Sequence, residues 1–364
     1  MSKIQRIGVL TGGGDCPGLN AVLRGLVKTA AYDHDIQVVG FLDGFAGVLK
    51  DRTMRLDGDT VSGILQRGGT ILGSSNRDNP FRVPVQVEGE RKFEDRSEEA
   101  MRIFDRYGLQ LLVVVGGDGS LSIALELARK GMPVIGIPKT IDNDLAATDV
   151  SFGFDTALTT ATEALDKLHT TAQSHHRIMV LEVMGRYAGW IALEAGVAGG
   201  GDVILVPEIP FRIESVVGAI KERTFRGRTF TLIVIAEGAK AEGGEVVVSK
   251  VVADSTDSIR LGGVGHWLAA ELEQRLEREV RVTVLGHLQR GGTPTAFDRI
   301  LGTRYGVHAA HCAAEGRKEI MVSLQGTEVT EVPLADAVRE PRRVAPDSQI
   351  VRAARSVGTR FGDE

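Results

Sequence analysis

The stretch LLVVVGGDGSLSIALELARKGMPVIGIPKTIDND, residues 111–144, reads as a strand, a turn, a helix and a second strand in immediate succession. Residues 111–115 are continuously apolar and rich in β-branched side chains, as expected of a strand covered on both faces. A Gly-rich turn follows at 116–119, helix formers occupy 120–129, and a second apolar run lies at 134–137. Two neighbouring strands joined by one helix run parallel. The fold class that follows is α/β, with a doubly wound, largely parallel sheet.

The same alternation continues in both directions. Further strands are expected at 7–10, 38–41, 177–183, 203–206, 232–236 and 282–285, and further helices at 157–171 and 261–276. In the last helix Val264, Trp267, Leu268 and Leu272 fall on one face. Residues 76–97, with Pro and mixed charge, read as a long loop or hairpin, and the charges of the Arg-rich tail from 332 as a solvated face.

The chain has 364 residues, 43% hydrophobic and 25% charged, the balance of a globular protein of two or three domains or one large interlocked body. A net charge of −5 gives no bulk electrostatic case for nucleic acid or an anionic membrane. The first residues enter a strand-like run without the pattern of a secretory leader, and no apolar run reaches the length of a membrane span. Cys16 and Cys312 are the only cysteines, too few for a disulfide framework, so a cytoplasmic setting is expected.

In parallel α/β sheets ligands bind beyond the carboxyl ends of the strands. Here the unusual Gly, Asp and Arg clusters all sit there. TGGGDCPGLN, residues 11–20, presents three successive Gly before a helix, a turn suited to phosphate or to tight packing. GGDGS, residues 116–120, adds a carboxylate inside such a turn. Asp118 is then either a Mg²⁺ ligand beside a polyphosphate or a helix cap. PKTIDND, residues 138–144, places Asp142 and Asp144 after the next strand. Their expected roles are divided, one accepting a substrate proton and the other orienting a neighbour or the metal. Arg177, Arg186, Arg281, His287 and Arg290 follow or flank later strands, and Arg is the natural bidentate partner of phosphate. Glu237 either bonds sugar hydroxyls or caps the next segment. No G-x-x-x-x-G-K-[ST] loop occurs.

TGGGDCPGLN, GGDGS, PKTIDND, MGRYAGW (184–190), IAEG (235–238) and GHLQRGG (286–292), in this order and spacing, closely resemble the 6-phosphofructokinase family over roughly 3–305. The resemblance implies two similar doubly wound, largely parallel-sheet domains. Residues 1–153 with about 289–340 would bind the nucleotide, and 154–288 with the C-terminal tail the sugar phosphate. It implies ATP as donor, Mg²⁺ as cofactor and fructose 6-phosphate as acceptor, in a homodimer or homotetramer with shared active sites.

The resemblance also assigns residues. Asp142 is the general base, with Thr140 and Asp144 shaping the pocket and Arg186 counted among the catalytic groups. Gly13, Gly117, Asp118, Gly119 and Ser120 hold donor phosphates, with Arg77 and Asp78 beside them and Asp118 placing the metal. Ile141, Met184, Gly185, Arg186, Glu237, His287, Leu288, Gln289 and Arg290 surround the sugar phosphate. Arg177 and Arg281 reach it from a neighbouring subunit.

Two positions bear on the donor. Pyrophosphate-using members of the family typically have Asp where this chain has Gly119 and Lys where it has Lys139, whereas common ATP enzymes have Gly at both. The pair is mixed, and ATP is favoured because Gly119 neither repels nor displaces a nucleotide. The alternatives are a pyrophosphate-dependent phosphotransferase acting on the same sugar and an inactive regulatory subunit. The latter conflicts with the presence of Asp118, Asp142 and Asp144. A nucleotide-dependent oxidoreductase lacks its G-x-G-x-x-G turn.

Overall fold

The computed structural model describes residues 4–87, 90–245, 248–251 and 259–364. Residues 1–3, the start of the expected first domain, lie outside the described residues.

Two sheets carry the architecture. The larger has seven strands. Its parallel centre runs Gln37–Phe41, Arg6–Thr11, Leu111–Gly116, Val134–Pro138 and Ile320–Gln325, adjacent in that order. Antiparallel strands close both edges, Thr53–Leu56 on one side and Glu328–Pro333 on the other. The smaller sheet has four parallel strands, ordered Val280–Val284, Ile178–Val183, Thr231–Ala236 and Val203–Leu205.

The central strands are apolar throughout because helices cover both faces. Leu111, Val113 and Val115 enter one core, while the alternate Leu112 and Val114 enter the other. The first of these cores is continuous from Ile7 and Val9 of the larger sheet, through Phe154, Ala157 and Ala161, to Leu181 and Val234 of the smaller. The helix Phe154–His175 thus ties the sheets together. Its start is fixed by buried Asp298, which accepts hydrogen bonds from the amides of Gly153 and Thr156, both at 2.8 Å, and from the Thr156 hydroxyl at 2.5 Å. Asp298 lies in the first turn of the helix Ala296–Ala314, which Thr295 caps and which packs on Leu19–His34.

The helices expected at 120–129, 157–171 and 261–276 span Asp118–Arg129, Phe154–His175 and Val264–Arg275, the last starting after the strand Ile259–Leu261. In the last, Val264, Leu268 and Leu272 are buried and Trp267 packs against their cluster. The 76–97 segment contains the hairpin Val83–Val87 with Glu90–Glu94. The strand expected at 282–285 begins earlier, at Val280, and stops at Val284. It lies at a sheet edge with Arg281 and Val284 exposed, so its apolar run is a poor guide to its ends.

Of the tail's charges, Arg339, Arg343 and Arg352 are exposed as expected, whereas Arg342, Arg355 and Arg360 are half-buried. Leu334, Ala337, Val344, Val351, Ala354 and Phe361 are buried between its arginines, and Arg360 pairs with Val203 on the edge of the smaller sheet. No helix among the described residues is long and apolar enough to cross a membrane.

Candidate active site

Because Arg6–Thr11, Leu111–Gly116 and Val134–Pro138 are parallel and adjacent, their three following turns emerge at one end of the larger sheet. Backbone hydrogen bonds bind the turns to one another. Gly12 N–H donates to Val115 O at 2.9 Å, and Lys139 N–H to Gly116 O at 3.0 Å. Ser120 is wedged beneath two of the turns. A Cβ on Gly12 would stand 2.6 Å from its Oγ, and one on Gly116 would stand 2.4 Å from its Cβ. Glycine is therefore required for this approach. A fourth segment folds over the first turn: Gly13 N–H donates to Ser75 O at 2.9 Å, and the Ser74 hydroxyl to Gly13 O at 2.5 Å.

Asp118 begins its helix and is exposed at the mouth of the site. The neighbouring Gly119 is exposed too, and a Cβ there would meet nothing within 4 Å.

The loop after Val134–Pro138 is held from within. Asn143 adopts a left-handed backbone, φ 51°, and its buried side chain accepts from Ser151 N–H at 3.1 Å. Ser151 Oγ donates to Thr140 O at 2.9 Å, the Thr140 hydroxyl donates to Asp144 Oδ1 at 3.0 Å, and Asp142 N–H donates to Thr140 Oγ1 at 3.1 Å. The loop turns at Asn143, and both Asp142 and Asp144 face one cavity of about 620 Å³. Asp142 Oδ1 is closed to solvent and has no hydrogen-bond partner among the described residues.

The opposite wall comes from the ends of the smaller sheet. Met184, Arg186 and Glu237 follow Ile178–Val183 and Thr231–Ala236, while His287 and Arg290 lie on the short helix Gly286–Arg290. Arg290 Nη1 donates to Asp15 O at 3.2 Å, resting on the first Gly turn. A Cβ on Gly14 would stand 2.5 Å from that same Nη1, so Gly14 permits the approach of this cation.

The cavity is rich in carboxylates, and burial pushes Asp142 and Asp144 upward from their ordinary range. For Asp142 the Arg290 guanidinium opposes the rise. For Asp144 the charges of Asp142 and Asp118 add to it. Lys139 is buried, its pKa is lowered by that burial, and its Nζ donates to Gly14 O at 2.5 Å beside the first turn.

Gly13, Asp78, Gly117, Asp118, Gly119, Ser120, Lys139 and Thr140 all line this cavity, as do the two Asp and the opposite wall. Other expected residues lie elsewhere. Arg77 is exposed and outside the lining, since Ser75 Oγ bonds Asp78 at 2.5 Å and accepts from Arg77 N–H, turning the arginine outward. Ile141 is buried, and Gly185 shapes its turn at φ 138°. Leu288 is 69% exposed, whereas Gln289 is fully buried and joins Met184 N–H to Gly286 O. Arg177 and Arg281 share Glu279 at the opposite end of the smaller sheet, roughly 16 Å of strand from the cavity. Asp15, Phe45, Ser74, Asn76 and Tyr187 also line the cavity, although sequence reasoning did not select them. The pair Ser74 and Asn76 beside Gly73 was the available signal for their loop.

Chemically, the cleft sets backbone donors and cations suited to phosphate around a carboxylate suited to a proton. This is the equipment of a phosphoryl-transfer enzyme of the α/β class. The sequence matches the family described as phosphofructokinase over residues 6–313. It is 52% identical over 365 residues, covering all of both chains, to the ATP-dependent 6-phosphofructokinase 2 of Clostridium perfringens (strain 13 / Type A). It is 51% identical to the pyrophosphate–fructose 6-phosphate 1-phosphotransferase of Amycolatopsis methanolica, over 94% of this chain and 97% of that one. Among solved structures, Pichia pastoris phosphofructokinase superposes with a TM-score of 0.79 at 28% identity, covering 99% of this chain and 37% of that longer one. This chain belongs to the phosphofructokinase family.

Proposed function

We propose that the protein transfers the γ-phosphoryl group of ATP to the 1-hydroxyl of fructose 6-phosphate, giving fructose 1,6-bisphosphate and ADP. The observation that carries this reading is Asp142 Oδ1, a buried acceptor without a donor among the described residues, in a cavity shared by the phosphate turns and the cationic wall. Such an atom costs about 1–3 kcal/mol. A hydroxyl presented to it removes that cost and is aligned to lose its proton.

In this reading the backbone of Gly13, Gly117 and Gly119 and the Ser120 hydroxyl hold the donor phosphates. The first part of the chain is the donor side, and 154–288 the sugar side. The surplus of carboxylates around Asp142 and Asp144 fits a divalent cation, which Asp118 would hold. Bound there, Mg²⁺ would supply positive charge to the transferring phosphoryl oxygens. Arg186, His287 and Arg290 bind the sugar phosphate and Glu237 its hydroxyls. Asp142 takes the proton from the 1-hydroxyl as ADP leaves, and Thr140 and Asp144 fix the loop that aims it. The position of Arg177 and Arg281, far from their own cleft, supports a homo-oligomer in which they serve a neighbour. An enzyme active as a monomer in sedimentation experiments would exclude it. Two buried free cysteines accord with a cytoplasmic setting.

A second reading, pyrophosphate as donor, draws on Lys139, whose ammonium sits beside Gly13. Initial rates with each donor over one fructose 6-phosphate range decide between them, with ATP expected to win by kcat/KM. Asp142→Ser should lower kcat at least about 10²-fold and move KM for the sugar much less. A variant that keeps most of its kcat would remove Asp142 from the base role.

A further inference from the structure

The C-terminal tail touches both walls of the cleft from behind. Its near end, Leu334–Ala337, is buried against the larger sheet's core, and its far end pairs Arg360 with Val203 of the smaller sheet. Arg355 holds Asp363 and Glu364, fixing that end further. Between these anchors the main chain of Arg342 makes two bonds. Its N–H donates to Asp144 O at 2.7 Å, and its carbonyl accepts from the Trp190 indole N–H at 3.0 Å. Asp144 belongs to the loop that carries Asp142, while Trp190 ends the MGRYAGW segment that carries Arg186. One residue thus joins the base loop to the sugar-phosphate loop.

Two side chains, Arg342 and Glu208, stiffen the joint further. The Arg342 guanidinium lies 4.5 Å from the Trp190 ring centroid and donates to Asp149 O at 2.8 Å. Glu208 accepts from Gly189 N–H at 3.0 and 3.1 Å and from Val344 N–H at 2.8 Å. Gly189 immediately precedes Trp190, so the sugar loop is held to the tail at consecutive residues.

We infer that Arg342 and Trp190 are positioning residues for phosphoryl transfer: through them the tail sets the distance between Asp142 and the sugar phosphate held by Arg186. The inference rests on the proposed function. Misplacing reacting groups by about 1 Å can cost about 10²-fold in rate, so a joint that maintains this spacing acts on the sugar and leaves donor binding alone. Among the described residues, neither residue hydrogen-bonds to the donor turns.

The test is steady-state kinetics of full-length Arg342→Ala, which leaves both main-chain bonds and removes the guanidinium that clamps Trp190 and Asp149, and of Trp190→Phe. The latter keeps a ring for the guanidinium and removes the N–H. Trp190→Phe should raise KM for fructose 6-phosphate and lower kcat, together about tenfold or more in kcat/KM, and Arg342→Ala should do the same to a smaller degree, with KM for ATP within about twofold of wild type in both. Because the two residues form one joint, the double variant should lose far less than the product of the single losses. Arg342→Lys, which keeps a cation and a donor for Asp149, should recover part of the loss and provides a milder measurement if Arg342→Ala folds poorly. Arg355→Ala, which frees only the far end, should lower Tm without the sugar-specific change. Unchanged sugar constants in Trp190→Phe, or equal shifts for ATP and sugar, would overturn the inference. A wild-type protein that phosphorylates fructose 6-phosphate with neither donor would instead sink the proposed function.

Discussion

Replacing Gly119 by Asp should convert the protein from preferring ATP to rejecting it. Gly119 is exposed, has no positive φ, and a Cβ there meets nothing within 4 Å, so the substitution introduces no clash. It also falls in the first turn of Asp118–Arg129, where a carboxylate is favoured by the helix dipole. The fold should therefore survive unchanged. On the proposed reading, the new charge would face the part of the donor that lies beyond the phosphates assigned to Gly13 and Gly117. At a contact distance of about 4 Å and an effective dielectric near 20, one pair of like charges costs roughly 4 kcal/mol. That is about three decades in affinity. Pyrophosphate has no third phosphate to meet the introduced carboxylate, and Lys139 remains beside the first turn to attract it. The assay is initial rate against ATP and against pyrophosphate at saturating fructose 6-phosphate, with Tm measured alongside. KM for ATP should rise by about 10³ while any pyrophosphate activity is retained or increased. A Gly119→Asp enzyme that folds normally and keeps its ATP constants would refute the placement of the nucleotide over this helix start.

Two further outcomes concern pH. Asp142 can accept a proton only when ionised, and burial holds its pKa above the ordinary carboxylate range. The acid limb of kcat/KM should therefore lie above that range, with activity falling as pH is lowered through it. Arg290→Gln, which removes the cation opposing the rise, should move this limb to higher pH. Asp298 is pushed up to about 6, by burial first, against the opposing hydrogen bonds of Thr156 and Gly153. A raised folded pKa means a contribution to stability fully present below the unfolded value of about 4 and lost as pH rises through about 6. Asp298→Asn should thus flatten stability across that window by roughly 3 kcal/mol, the equivalent of about two pH units. Denaturant midpoints at pH 4 and pH 7 measure it, and an unchanged slope would contradict the linkage.

The sequence was most legible where one physical cause acts over a short stretch. Strands such as Leu111–Gly116 announce themselves because both faces are buried, and the Gly and Asp turns stand out because parallel strands deliver their ligand-facing residues at one end. The antiparallel edge Glu328–Pro333 gave no such signal, since its residues are only partly covered. Within the site, Ser74 and Asn76 escaped notice because their place depends on Gly13 N–H meeting Ser75 O, a contact between residues more than sixty positions apart. Arg77 looked suitable by type, but the Ser75–Asp78 bond turns it outward.

The tail was illegible for a deeper reason. Arg342 joins the two walls of the cleft through its own amide and carbonyl, atoms that nearly every residue possesses. No choice of side chain advertises such a contact, so an arginine among other arginines reads as solvated surface. What the sequence does supply is the apolar spacing of Leu334, Val344, Val351 and Phe361, which forces the tail to lie down across both sheets. Once it does, the position of Arg342 between Asp144 and Trp190 follows from the path of the chain. The Gly, Asp and Arg groups of the cleft are thus encoded by residue type, whereas the path of the tail that joins its two walls is encoded by hydrophobic burial.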